Sequence, residues 1–160
     1  MKSSFEVAIL SLVAVAGSVV AWVVDDKPTG DPVQDLSKYP LKEGEIRLET
    51  LIEQGLQGVT WVDARRQSDW EKDGLKGSIH LTVLSDAALS EQIAANTDAL
   101  LSAEKIVIYC DGVHCTLSHD LAKQLQSDYS DLFPGEIWVL HGGITALQAE
   151  GMVTAPSQAQ

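Results

Sequence analysis

The sequence predicts an α/β fold, and three observations predict it. The apolar runs VTWVD (residues 59–63), KIVIYC (105–110) and EIWVL (136–140) have strand length and are continuous, so both faces of each strand are expected to be covered. Stretches of helical period separate or follow them, as in TLSHDLAKQLQ after the second run and ITALQAEG after the third. Glycines close the helical stretches LETLIEQG and ITALQAEG, as helix ends require. Strands alternating with helices imply parallel pairing with helices on both faces of the sheet.

The elements follow in order. Residues 7–24, VAILSLVAVAGSVVAWVV, carry no charge and approach the length that spans a bilayer as a helix. The segment reads as a membrane span or a signal peptide. Lys2 precedes it and Asp25 and Asp26 follow it, which places the N-terminus in the cytoplasm and the remainder in the periplasm. AVA at residues 14–16 resembles a cleavage site, but the apolar run continues to Val24, which suits an uncleaved inner-membrane anchor over residues 1–24, with Trp22 at the interface. Residues 25–44 hold three of the five prolines and no apolar period, and read as a linker. The folded domain is expected over 45–153: a short strand and helix within EIRLETLIEQG, the strand 59–63, one or two helical turns at 68–72, and a return to the sheet in DGLKGSIHL. An amphipathic helix over 85–101, capped by Ser85 or Asp86, precedes the strand 105–110. Residues 154–160 are small and polar and form a frayed tail.

Composition narrows the function. Eleven basic residues stand against 23 acidic ones, a formal net charge of -12, which repels nucleic acid; no nucleic-acid partner is expected. Two cysteines are too few for a multi-bridge scaffold and lack the spacing of a zinc finger. They are incidental, a single bridge, or chemistry.

Both lie in one loop. Cys110 ends a strand and a helix begins near Thr116, so Asp111, Gly112, Val113, His114 and Cys115 form a turn whose N–H groups can face an anion. Ligands of doubly wound sheets collect at such strand ends. A thiolate there gains from the amides and from the positive end of the following helix, which lowers its pKa and makes it nucleophilic. The competing reading is a small apolar residue at the end of a buried strand. Cys115, five positions on, is either a packed residue, a disulfide partner or a resolving thiol. Cys110, His114, Cys115, His119 and His141 are potential metal ligands, but four converging groups are needed and no metal is expected; His119 reads as an exposed helix residue.

Three segments together resemble the rhodanese-like (sulfurtransferase-homology) family: WVDARRQSDWEKDGLKGSIHL at 61–81, IVIYCDGVHCTLSHDLAKQL at 106–125, and IWVLHGGITALQAEGM at 137–152. The resemblance implies a three-layer sandwich around a five-stranded parallel sheet, a catalytic Cys110, and a persulfide on that cysteine cradled by residues 111–116. It implies no cofactor. By the same resemblance Asp63, with Arg65 as partner, orders the neighbouring structure, and Gly142 and Gly143 bring the last loop close to the cysteine pocket. Thr116 is expected to cap the helix. Active relatives carry arginine or lysine in the loop, whereas this loop has Asp111, which disfavours thiosulfate as donor. Related phosphatases and arsenate reductases use an arginine where Thr116 stands, which argues against their activities here.

Three functions follow as expectations. The first is a membrane-anchored, periplasm-facing sulfurtransferase that accepts sulfur from a small donor and passes it to a thiol or persulfide acceptor. The second is a thiol–disulfide element made of Cys110 and Cys115. The third is a catalytically silent module that binds a protein partner.

Overall fold

The computed structural model of the chain describes residues 35–154. Among them are five strands and six helices in chain order: β1 (Glu45–Ile46), α1 (Leu48–Gln54), β2 (Val59–Asp63), α2 (Gln67–Asp73), β3 (Ile79–His80), α3 (Leu89–Ala95), α4 (Thr97–Leu101), β4 (Lys105–Tyr109), α5 (Leu117–Asp128), β5 (Glu136–Leu140) and α6 (Gly143–Ala149). The strands form one sheet in the order β1-β5-β4-β2-β3, and every pairing is parallel. Parallel neighbours need crossover connections, and the helices supply them.

β4 occupies the centre, with β2 pairing Val59 to Lys105 and Asp63 to Tyr109, and β5 pairing Glu136 to Lys105. Its residues Ile106 to Tyr109 are wholly buried. Side chains alternate across a strand, so Ile106, Ile108 and Cys110 enter one core with Leu89, Ile93, Leu100, Leu121 and Leu125, while Val107 and Tyr109 enter the other with Leu48, Leu51, Ile144 and Leu147. This is why the run KIVIYC is apolar throughout: each face has its own helical layer. Leu121, Ala122 and Leu125 form the buried stripe of α5, and Ser118 extends it by one turn.

The expected helix over 85–101 is two helices. α3 stops at Ala95, and Asn96 and Thr97 turn their side chains back onto the chain: Asn96 Nδ2 donates to Gln92 O at 2.9 Å, and Thr97 Oγ1 to Ala94 O at 3.0 Å. Such local side-chain bonds compete with helix continuation. Ser85 does not cap it either, since α3 begins after Ala88 and the Ser85 hydroxyl instead accepts from the Ala87 N–H at 3.1 Å.

Part of the stretch read as linker is docked on the domain. Leu36–Lys38 make one 3₁₀ turn, capped by Asp35, and Leu36 packs against the second core. Among the described residues no helix is long and apolar enough to cross a membrane. The expected span over 7–24 and residues 155–160 of the expected tail lie outside the described residues.

Candidate active site

Cys110 sits where β4 ends, with 2% of its surface exposed, and its sulfur is paired with that of Cys115 across the loop. The two Cα atoms are 6.3 Å apart, within reach of a disulfide. On the helix side the Ser118 hydroxyl lies 3.3 Å from Cys110 Sγ. On the other side the start of α6 presses against the loop: the Ile144 N–H donates to Cys110 O at 2.7 Å, and Thr145 Oγ1 donates to Asp111 O at 3.3 Å. Gly143 makes this approach possible. Its φ is +54°, and a Cβ there would collide with the Cys110 carbonyl oxygen and lie 3.1 Å from the Gly112 nitrogen.

The loop keeps donors free. Cys115 donates its N–H to Gly112 O at 3.0 Å, while the N–H groups of Asp111, Gly112, Val113 and His114 have no acceptor among the described residues. These N–H groups and the N-terminus of α5 belong to the same loop as the sulfur pair, and both carry partial positive charge. Thr116 stands at the N-cap of α5 but makes no side-chain cap hydrogen bond, contrary to its expected role. Its φ of -97° and ψ of -15° are near-helical, which leaves its hydroxyl away from the first-turn N–H groups.

A buried charge cluster frames the neighbouring strand end. Asp63 is wholly buried at the end of β2; Arg65 is 4% exposed. The guanidinium grips Asp63 at 2.8 Å and Asp73 at 2.8 Å, and the Arg65 backbone N–H adds a bond to Asp63 Oδ1 at 3.0 Å. Burial alone disfavours the cation, but the two carboxylates outweigh it and raise its pKa above the ordinary value. The Arg65 guanidinium also lies 5.9 Å from the centre of the Tyr109 ring. The Tyr109 hydroxyl accepts from the Leu75 N–H at 2.9 Å and lies 3.2 Å from Ser78 Oγ; burial pushes its pKa up to about 12. Asp111 points an acidic group at this neighbourhood. Burial raises its pKa, against the pull of Arg65 and with the help of Asp69, so the loop offers an incoming anion no free cation from this cluster.

A second cluster joins the sheet edge to α5. His141, just past β5, bonds Glu45 Oε2 through Nδ1 at 2.9 Å. His119 is not an exposed helix residue: its side chain is 29% exposed and its Nε2 lies 3.1 Å from Glu45 Oε1, without a hydrogen-bond partner among the described residues. The Lys42 N–H donates to Glu45 at 2.9 Å, and Leu36 O lies 3.4 Å from His141 Nε2. Leu36 also covers Gly142, whose φ is +81°, and Tyr39 meets the His114 ring edge-on at 5.5 Å. The segment before β1 is thus a strap from Glu45 to the cysteine loop. Burial pushes the Glu45 carboxyl up, but the Lys42 N–H and His141 outweigh it and hold the pKa below its ordinary 4.5. A carboxylate with a lowered folded pKa stabilises the fold above its unfolded pKa, and that contribution disappears as pH falls through the folded value. The urea midpoint is therefore expected to fall as pH drops below 4.5, and Glu45→Gln to flatten that acid limb.

The structure brings together Cys110, Cys115, the loop residues 111–114 and Gly143, with Gly142 under the strap. Asp63 and Arg65 lie one strand away, as a frame for β2 and α2. Ser118, Asp73 and Glu45 were not singled out by sequence reasoning. Ser118 had a signal: it is the one hydroxyl in the apolar register of α5, four residues before Ala122 and three before Leu121.

A central strand that ends in a cysteine loop, backed by one helix N-terminus and crossed by the start of another, defines a cysteine-loop α/β domain. The family model for the rhodanese-like domain matches residues 47–150. The chain belongs to the rhodanese-like domain family. Among solved structures, the rhodanese-like domain of an Anabaena protein matches at 19% identity over 74% of this chain and 89% of its own, with a TM-score of 0.50. An As–Sb reductase from Leishmania major matches at 20% identity over 72% of this chain and 89% of its own, with a TM-score of 0.52. At such identities the likeness is one of fold. A search of curated proteins finds no match.

Proposed function

We propose that the protein is a sulfurtransferase that carries sulfane sulfur as a persulfide on Cys110. The observation that carries the reading is the placement of Cys110: a sulfur at the end of the central strand, beside the Ser118 hydroxyl, in a loop with four N–H groups that have no acceptor among the described residues. In the reduced protein the Cys110 thiolate attacks the outer sulfur of a donor R–S–SH. The new S–S bond forms on Cys110, the donor's S–S bond breaks, and R–S⁻ leaves. The loop amides hold the resulting anionic persulfide, and an acceptor thiol removes its outer sulfur. The Asp111 carboxyl in the loop, and an Arg65 guanidinium already held by Asp63 and Asp73, favour persulfide donors over dianionic thiosulfate. Residues 7–24 would tether this domain to the inner membrane with its loop in the periplasm.

The pairing of Cys110 with Cys115 favours a second reading, a thiol–disulfide element in which the pair cycles between dithiol and disulfide. Intact-mass spectrometry of the full chain in detergent separates the two. After reduction and exposure to an organic persulfide, the first reading expects a gain of one sulfur, about 32 Da, that Cys110→Ser abolishes and Cys115→Ser preserves. No uptake, with the loss of about 2 Da as the thiols pair, would leave the second reading in its place.

A further inference from the structure

The disulfide is not symmetric in its surroundings. Cys110 Sγ is buried against the core that contains Leu121 and Leu125, and it has the Ser118 hydroxyl as neighbour at 3.3 Å. Cys115 is only partly buried, between the exposed residues His114 and Thr116. We propose that the Cys110–Cys115 disulfide is opened from one side: an external thiolate attacks the sulfur of Cys115, and Cys110 departs as a thiolate held by Ser118. The proposal rests on the reading of this loop as a site of sulfur chemistry, and assigns Cys115 as the exchange thiol.

Two physical requirements fix the direction. Thiol–disulfide exchange proceeds in line, so the attacking sulfur approaches opposite the one that leaves. An attack on Cys110 would have to pass through the packed side of β4 and α5, whereas Cys115, although it packs against the same core, keeps part of its surface exposed. The rate also rises as the leaving thiol's pKa falls. Ser118 Oγ has Cys110 Sγ as its partner among the described residues, and it is 2% exposed, so water does not compete for its proton. A hydroxyl that donates to the departing sulfur stabilises the thiolate, as does the start of α5, on which Ser118 stands. Ser118 is therefore a positioning residue.

The step balances. R–S⁻ forms a bond to Cys115 sulfur, the Cys110–Cys115 bond breaks, and its electron pair stays on Cys110. The products are the mixed disulfide R–S–S–Cys115 and a Cys110 thiolate free to take sulfane sulfur. A second thiolate R–S⁻ then attacks the sulfur of R, giving R–S–S–R and the Cys115 thiolate. The reductant is thus a pair of small thiols or one dithiol.

The test uses oxidised full-length protein in detergent with limiting glutathione, quenched early with iodoacetamide. Tandem mass spectrometry of the loop peptide then locates each adduct. Glutathione on Cys115 and the alkyl group on Cys110, in a ratio on the order of ten or more, is the expected result. Glutathione on Cys110, or equal labelling, overturns the proposal without bearing on persulfide uptake, which the intact-mass experiment reads separately. Ser118→Ala gives an independent readout. In a Cys115→Ser background it should raise the thiolate titration midpoint of Cys110, followed at 240 nm, and in the wild-type pair it should slow opening by about tenfold. An unchanged midpoint removes Ser118 from the scheme.

Discussion

Arg65→Ala is expected to lower the free energy of unfolding by about 3–5 kcal/mol, the cost of stripping one member from a buried ionic cluster. Its partners explain the size. Asp63 is wholly buried and, among the described residues, keeps only the Arg65 backbone N–H, so its charge loses the three bonds it now receives from the guanidinium. Asp73 loses its bridge as well, and α2 loses its tie to β2. For a small domain with a total stability of about 5–15 kcal/mol, this is a large fraction. Urea unfolding followed by tryptophan fluorescence measures it. The double substitution Asp63→Asn with Arg65→Ala should cost less than the sum of the single ones, because the orphaned carboxylate has gone. A loss below about 1 kcal/mol for Arg65→Ala would mean that the cluster behaves as a surface pair.

Gly143→Ala is expected to cost about 2–4 kcal/mol and to dislodge the cysteine loop. Part of the cost is the backbone: an alanine at a φ of +54° is strained by about 1 kcal/mol or more. The remainder is the collision of its Cβ with Cys110 O, the same oxygen that accepts from Ile144 at 2.7 Å. The start of α6 must retreat, and the Cys110 carbonyl and the Gly112 amide move with it. Persulfide uptake on Cys110 should therefore fall more than global stability does. Gly151→Ala serves as control, because a Cβ at Gly151, also at positive φ, meets nothing within 4 Å among the described residues. Equal effects of the two would assign the whole cost to backbone strain.

Much of this was legible in the sequence, and what was not has physical causes. The central strands could be read because KIVIYC and EIWVL are covered on both faces and so are apolar without interruption. β1 and β3 fall inside EIRLETLIEQG and DGLKGSIHL, where a short strand and a return to the sheet were expected, but at two residues each they carry no periodicity that could fix their bounds. The break at Asn96 was hidden because the apolar period of the helix continues through it, and only the back-bonding of Asn96 and Thr97 interrupts the backbone. In the site, Cys110, Asp63 with Arg65 and the paired glycines stood out through local motifs. Glu45 and Asp73 did not. Glu45 meets His141 across 96 positions and His119 through packing of α5, a convergence that spacing along the chain does not encode.

The strap and β1 also define where this domain begins. The family likeness starts at residue 47, after both. A fragment cut at that point would lose the Val139 N–H to Gly44 O and the His141 N–H to Ile46 O bonds, and β5 would become the outer strand of the sheet. Its sequence, EIWVL, has one charge and no proline to discourage pairing with another chain. Two residues of β1 and the short segment before them thus act as an edge guard, and a fragment trimmed to the shared family region would expose a surface suited to self-association.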